Sequence, residues 1–154
     1  MTRIGVISDT HGLVRPAALR ALAGVDAIIH AGDVGSPEVL AALAALAPVT
    51  AVRGNNDRGD WAAALPETVE FDSGSGTLIH VLHDVKRLSV DPRAAGIACV
   101  IAGHSHQPRN EVVGGVLYFN PGAAGPRRFT LPVCVGVLTR RGRSLTGIIV
   151  TLDI

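Results

Sequence analysis

"RIGVISDTH" (residues 3–11) runs a strand pattern straight into an acid and an imidazole. The first six residues read as a buried strand, and Asp9-Thr10-His11 follow at its end. Next comes "PAALRALA" (16–23), a helix with Pro16 near its start, where a missing N–H leaves no bond unmade. "DAIIHA" (26–31) is a second strand, and Ser36 is placed to cap a second helix, "PEVLAALAALA" (37–47). "VTAV" (49–52) is a third strand. Strands alternating with helices in this order imply parallel pairing through right-handed crossovers.

Strand patterns dominate the rest of the chain. "ETVEFD" and "TLIHVLH" flank "SGSG", a hairpin signal. A short helical patch is expected near "DPRAAG", ahead of the buried run "IACVIA" (97–102). "NEVVGGVLYFN" reads as another hairpin about its glycine pair, and "LPVCVGVLT" and "SLTGIIVTL" pair across "RRGR". The "RRGR" at 140–143 reads as a solvated turn rather than a binding patch. So much strand with few helices predicts two packed sheets with helices outside, an α/β sandwich formed as one domain over residues 1–154.

Composition narrows the function. An apolar fraction of 47% with 18% charge is globular, and a net charge of +1 gives no basic surface for nucleic acid. Cys99 and Cys134 lie inside apolar runs and read as buried thiols, not as a disulfide or metal ligands. The chain enters a strand at Arg3 without a charged-then-apolar leader, and "VLAALAALA" is too short to span a bilayer. A soluble, reducing, cytoplasmic setting is the expectation, with no membrane partner and a homo-oligomer left open.

The strand ends carry the chemistry. "RIGVIS" ends in Asp9-Thr10-His11, "DAIIHA" in Gly32-Asp33 and "VTAV" in Gly54-Asn55-Asn56-Asp57. "TLIHVL" ends in His83-Asp84 and "IACVIA" in Gly103-His104-Ser105-His106. Sites of open α/β sheets form beyond the carboxyl ends of strands. In extended backbone, residues two apart point the same way, which pairs Asp9 with His11 and His104 with His106. Imidazole and oxygen donors without thiolate suit Mn²⁺, Fe²⁺, Zn²⁺ or Ni²⁺ better than Ca²⁺ or Mg²⁺. Seven candidate side chains exceed the needs of one ion; two ions sharing a carboxylate would use them all. His30 and His80, inside apolar runs, read as satisfied core residues.

At these residues the chain resembles the calcineurin-like metallophosphoesterase superfamily, and most the small bacterial and archaeal phosphodiesterases, whose relatives include the retromer scaffold subunit of eukaryotes. The resemblance runs from "VISDTHG" through "IIHAGDV", "VRGNND" and "IAGHSHQP" to "FNPGAAGPR". It implies a four-layer α/β/β/α sandwich of two mixed sheets flanked by helices. It implies one metal held by Asp9, His11 and His106, a second held by Asn55, His83 and His104, and Asp33 bridging them. Mn²⁺ is the first expectation for both ions. Two departures stand out: Asp84 follows His83 where the family usually has glycine, and "NPGA" at Asn120–Ala123 replaces the commoner "NPGS". Asp84 would either orient an imidazole or a metal-bound water or face solvent, and Asn120 and Arg127 would contact substrate.

The implied reaction is hydrolysis of a small phosphate ester by hydroxide lying between two ions. Two divalent cations, two carboxylates and one hydroxide leave a net positive charge that a phosphodiester monoanion neutralises, although the count leaves a monoester open. A non-catalytic protein-binding scaffold of the same fold is the reading from a different class. Many relatives keep histidine, paired with an acid, after the loop asparagine to assist the leaving group. Here Asn56 and Asp57 stand there, and an amide donates a hydrogen bond but no proton near neutral pH. General acid catalysis supplies about 10²–10⁴-fold. An alkyl phosphodiester is therefore expected to be cleaved far more slowly than a nitrophenyl one; equal rates would reveal another acid.

Overall fold

The computed structural model describes residues Met1–Ile154. Strand β1 (Thr2–Ile7) leads to helix α1 (Pro16–Ala21), β2 (Ala27–His30), α2 (Pro37–Ala44) and β3 (Val49–Ala51). A short helix α3 (Asp60–Ala63) precedes the hairpin of β4 (Thr68–Asp72) and β5 (Leu78–Leu82). Then follow β6 (Ile97–Ile101), β7 (Arg109–Val113), β8 (Val116–Asn120), β9 (Cys134–Arg141) and β10 (Ser144–Thr151).

These strands form two mixed five-stranded sheets, β10-β9-β1-β2-β3 and β4-β5-β6-β8-β7. The expected sandwich is therefore present. β1, β2 and β3 pair in parallel, as the alternation required, and β9 runs antiparallel to β1 with Thr2 beside Arg140. In the second sheet β5, β6 and β8 are parallel, with β4 and β7 antiparallel at the edges.

Side chains alternate across each strand, so β1 serves two cores. Ile4, Val6 and Ile29 meet Ile79, Val81, Ile101 and Phe119 between the sheets. Ile7 and Ile28 face the other way, onto Leu22 after α1 and Val39 and Leu43 of α2. The outer face of the second sheet is covered more thinly. Leu82, Val100 and Val116 lie under Val85 and Leu88, around a single 3₁₀ turn at Val85–Arg87.

Several local expectations change. The helix predicted over 16–23 stops at Ala21, ahead of Gly24 at φ +83°, and that over 37–47 stops at Ala44, ahead of Pro48. Ser36 is the N-cap residue of α2, but its side chain makes no capping bond. The helical patch near Asp91–Gly96 is a set of turns; the helical piece is the earlier 3₁₀ turn, where Asp84 accepts from the Lys86 N–H. Arg140 is no solvated turn residue. It donates to the Ser73 carbonyl at 2.7 Å and to Thr2 Oγ1 at 2.8 Å, tying β9 to the β4–β5 turn. No helix is long and apolar enough to cross a membrane.

The spacing of the sheets is set at Phe119, which is 1% exposed. Its ring presses on β9 and β10 at two glycines. A Cβ on Gly147 would lie 2.6 Å from the ring, and one on Gly136 would overlap it. Gly136→Ala is expected to destabilise the fold by roughly 1–3 kcal/mol, the usual effect of overpacking. Urea unfolding measures this directly, and an unchanged midpoint would mean that the sheets yield without strain.

Candidate metal centre

The loops leaving β1, β2, β3, β5 and β6 meet at one rim. The Asp9 N–H donates to the Gly32 carbonyl at 3.0 Å, and the Gly103 N–H to the His83 carbonyl at 2.9 Å. The loops are not extended, contrary to the reasoning that paired residues two apart. Asp9, His11, Asp33, His104 and His106 all have positive φ, between 47° and 69°. Such backbone is unfavourable for side chains with a Cβ and persists where the surroundings hold it.

Asp9, His11 and His106 converge as one group, and Asp9, Asp33 and His83 as another. His106 Nε2 lies 3.3 Å from Asp9 Oδ1, and His83 Nε2 lies 3.3 Å from Asp33 Oδ2. His11 Nε2 is 3.8 Å from both Asp9 Oδ1 and Asp33 Oδ2. His104 does not follow its neighbour His106 into this group. Its side chain is 45% exposed, its ring packs edge-on to His83, and Nε2 lies 3.8 Å from Asp84 Oδ2. Asn55, the remaining expected ligand, is exposed in the β3 loop.

The surrounding polar groups hold this arrangement. Ser8 Oγ and the His104 N–H donate to Asp9 Oδ2, which leaves Oδ1 free. Asn56 donates its backbone N–H to Asp33 Oδ1 and its amide to Oδ2, so it grips the carboxylate instead of facing a leaving group. Asp57 accepts from the N–H groups of Val34, Gly35 and Gly54, stapling the β2 loop to the β3 loop. Gly54 permits this close approach, because a Cβ there would strike the Asp33 backbone and carboxylate.

Asn120 has a different task from the substrate contact expected of it. Buried, it donates to the Gly103 carbonyl and Ser105 Oγ and accepts from the Gly122 N–H, so it fixes the His104 loop. His80 pairs with Glu70 across the β4–β5 hairpin. His30 does more than fill the core. The Gly32 N–H donates to its Nδ1, so in the neutral ring Nε2 carries the proton and donates to Thr10 Oγ1, which in turn donates to the Val34 carbonyl. The chain of bonds joins the loop of Asp9 to the loop of Asp33. The polar Thr10 was the sequence signal for it.

Three buried polar atoms of the cluster have no hydrogen-bond partner, Asp9 Oδ1, His11 Nε2 and His83 Nε2, and His106 Nδ1, the ring nitrogen other than the one near Asp9, is also unpartnered. Buried polar groups are normally satisfied, and a cluster of unpartnered imidazole and carboxylate atoms fits a bound cation. His83 Nδ1 lies 2.8 Å from the Ala31 carbonyl, to which it donates, and this directs the Nε2 lone pair inward. The model of the calcineurin-like phosphoesterase superfamily domain matches residues 2–142.

The chain belongs to the calcineurin-like phosphoesterase superfamily.

Among its relatives in that superfamily, a probable metallophosphoesterase of Methanothermobacter thermautotrophicus is 35% identical, over 96% of this chain and 91% of the relative. Two solved structures share the fold. An archaeal phosphodiesterase superposes with a TM-score of 0.78 at 24% identity, over 97% of this chain and 100% of its own. Vps29 of Entamoeba histolytica, complexed with zinc, gives 0.74 at 22% identity, over 99% of this chain and 100% of its own.

The charges at this superfamily site are strongly coupled. Burial pushes the Asp33 carboxyl up, but His83 and Asn56 outweigh it and hold it below the usual carboxylate range. Burial lowers His83, whereas Asp33, Asp9 and the Ala31 carbonyl raise it, and the net direction is up. Burial lowers His106; Asp9 opposes this, and Arg128 and His11 add to the fall. Burial also drives the Cys99 thiol up to about 12, so both free cysteines are inert core groups as expected.

His30 offers a clean titration, since burial and then His83 lower it from 6.5 to about 3. Below pH 6.5 the unfolded chain takes up a proton that folded His30 refuses, so stability falls as the pH drops from 6.5 towards 3. The slope for one such group is about 1.4 kcal/mol per pH unit. In EDTA-treated protein, the stability gap between wild type and His30→Gln should therefore narrow between pH 6.5 and 5 by about 2 kcal/mol. The opposing titration of His83 is common to both proteins. Urea midpoints that shift in parallel would remove His30 as the source.

Proposed function

We propose that the protein is a phosphodiesterase acting with two divalent metal ions, Mn²⁺ foremost. The observation that carries this reading is the cluster of unpartnered ligand atoms on Asp9, His11 and His83, with His106 Nε2 beside Asp9. Asp9, His11 and His106 would hold one ion, and His83 the other, with Asn55 and His104 closing in from the exposed side. Asp33 would be shared, its Oδ2 lying between His83 and His11. The set contains imidazole and oxygen donors and no thiolate, which suits Mn²⁺, with Fe²⁺, Zn²⁺ or Ni²⁺ as alternatives. When bound, two such ions lower the pKa of water and neutralise charge on the transferred phosphoryl group.

The chain's own residues do the positioning. Asn56 holds Asp33 in one orientation through both of its donors, and Asp57 keeps the loop beneath in register. Arg127 and Arg128 border a cavity that reaches His11 and His106, where they would meet the negative charge of a phosphate ester. In the overall reaction water adds to phosphorus, the P–O ester bond breaks, and the departing oxygen takes up a proton. The Asn56 amide, bonded to Asp33, has no proton to give up near neutral pH, so that proton would come from solvent, consistent with a preference for leaving groups that need none.

The test is cleavage of bis-nitrophenyl and mono-nitrophenyl phosphate with Mn²⁺, wild type beside Asp33→Ala. Wild type should cleave the diester faster than the monoester, and Asp33→Ala should lose at least 100-fold, in line with removal of a group on which the transition state depends (roughly 10²–10³). Calorimetric Mn²⁺ titration should show weakened binding in the variant. A faster monoester reaction would make the protein a phosphomonoesterase. Metal binding without cleavage of either would favour the scaffold reading.

A further inference from the structure

Seven residues other than glycine have positive φ. Five are the metal-loop residues described above, and Ser75 lies in the turn between β4 and β5. The one left is Phe129, at φ +52°. It follows Arg128 in a turn closed by the Leu131 N–H donating to the Arg128 carbonyl at 3.0 Å. Hairpin-type turns give a position of this φ to glycine or asparagine, because a bulky side chain is disfavoured there. Packing returns nothing for this strain, since Phe129 is 89% exposed. The turn therefore presents an aromatic side chain to water at one place on the surface.

That place is the rim of a cavity of about 410 Å³, lined by His11, His106, Pro126, Arg127, Arg128 and Phe129. A cavity of this size takes a ring together with a phosphate. Its walls divide by chemistry. His11 and His106 mark the end at the metal centre, the two arginines supply positive charge, and Pro126 and Phe129 supply apolar surface. Strained backbone clusters at active sites and ligand clamps.

We propose that this cavity seats the organic group of the phosphate ester, that the group is a flat aromatic one, and that Phe129 is the wall on which it stacks. Phe129 is then a specificity-determining residue. The assignment rests on the phosphoesterase reading for the phosphate end of the cavity, but the ring end has its own test. Aryl rings and nucleobases share the chemistry a phenylalanine face recognises, and offset stacking favours both over alkyl groups.

Two measurements test it on Mn²⁺-loaded protein. The first is calorimetric binding of phenylphosphonate and methylphosphonate, neither of which is hydrolysed. Wild type should prefer the phenyl compound by roughly tenfold, the size of one aromatic contact. Phe129→Ala should lose that preference and Phe129→Trp should keep it, with unchanged melting temperatures in both. The second compares the KM of thymidine 5′-nitrophenyl phosphate with that of ethyl nitrophenyl phosphate. The two share a leaving group: water bonds to phosphorus, the bond to nitrophenolate breaks, and a proton passes to solvent. A lower KM for the thymidine ester that disappears in Phe129→Ala would extend the site to a nucleobase, whereas a preference confined to the phosphonates would restrict it to a single ring. No phenyl preference in wild type, or one that survives in Phe129→Ala, overturns the proposal. Intact phenyl preference without cleavage of any diester would sink the phosphodiesterase reading and leave the ring site standing.

Discussion

Asp33 Oδ2 and His83 Nε2 face each other at 3.3 Å, and the opposite ring nitrogen is committed to the Ala31 carbonyl. Two lone pairs held so close repel unless positive charge lies between or beside them. In the absence of metal a proton serves, which is why His83 is pushed up and Asp33 held down. Asp9, His11 and His106 bring more acceptor atoms to the same place. Free side chains would move apart. Here they are held by groups that make no contact with the centre of the cluster: Asp57 beneath two loops, His30 and Thr10 between two loops, and Asn120 behind a third.

The two-sheet architecture makes this restraint feasible. Parallel strands of each sheet deliver their carboxyl ends to one rim, so loops from both sheets interlock there. Gly103 lies against the Ser8 and Asp9 side chains, and Gly125 against the backbone of Asp9 and Thr10, each closer than a Cβ would permit. Left-handed backbone occurs at five of the seven candidate ligands, and at Asp9, His11, Asp33 and His106 it goes with a side chain turned into the cluster over a short loop. The rest of the fold supplies the rigidity that keeps this unfavourable backbone in place.

Much of this was legible in the residues. The alternation from Arg3 to Val52 specified parallel strands, and the polar ends of those strands named the loops that meet. Asp57 was open to reading as a loop anchor, since Asp in a Gly-rich turn accepts local N–H groups. Other features were hidden because they depend on contacts between distant parts of the chain. Nothing in "GHSH" distinguishes His106, which joins Asp9, from His104, which turns to Asp84, because left-handed φ breaks the two-residue repeat. Asn120 lies in a strand-end motif that reads equally well as a ligand contact or a loop brace, and only its three bonds decide. The short α3 follows Gly59 with too few residues for periodicity to appear. Helix ends at Ala21 and Ala44 fall where alanine gives no stop signal.

The pairing of β1 with β9 has a consequence for the order in which the molecule is made. β1 is central in its sheet, yet one whole edge of it pairs with residues near Arg140, while the other pairs with β2 immediately downstream. During synthesis the ribosome releases β1, β2 and β3 with their helices long before β9 exists. The nascent sheet must therefore wait with a long, apolar, unprotected strand edge, of the kind that invites pairing with another chain. Closure by β9 and β10 covers that edge and seats Phe119 on Gly136 and Gly147 in the same event. Until Val135 has been translated, β1 carries the kind of open edge on which partly folded chains associate.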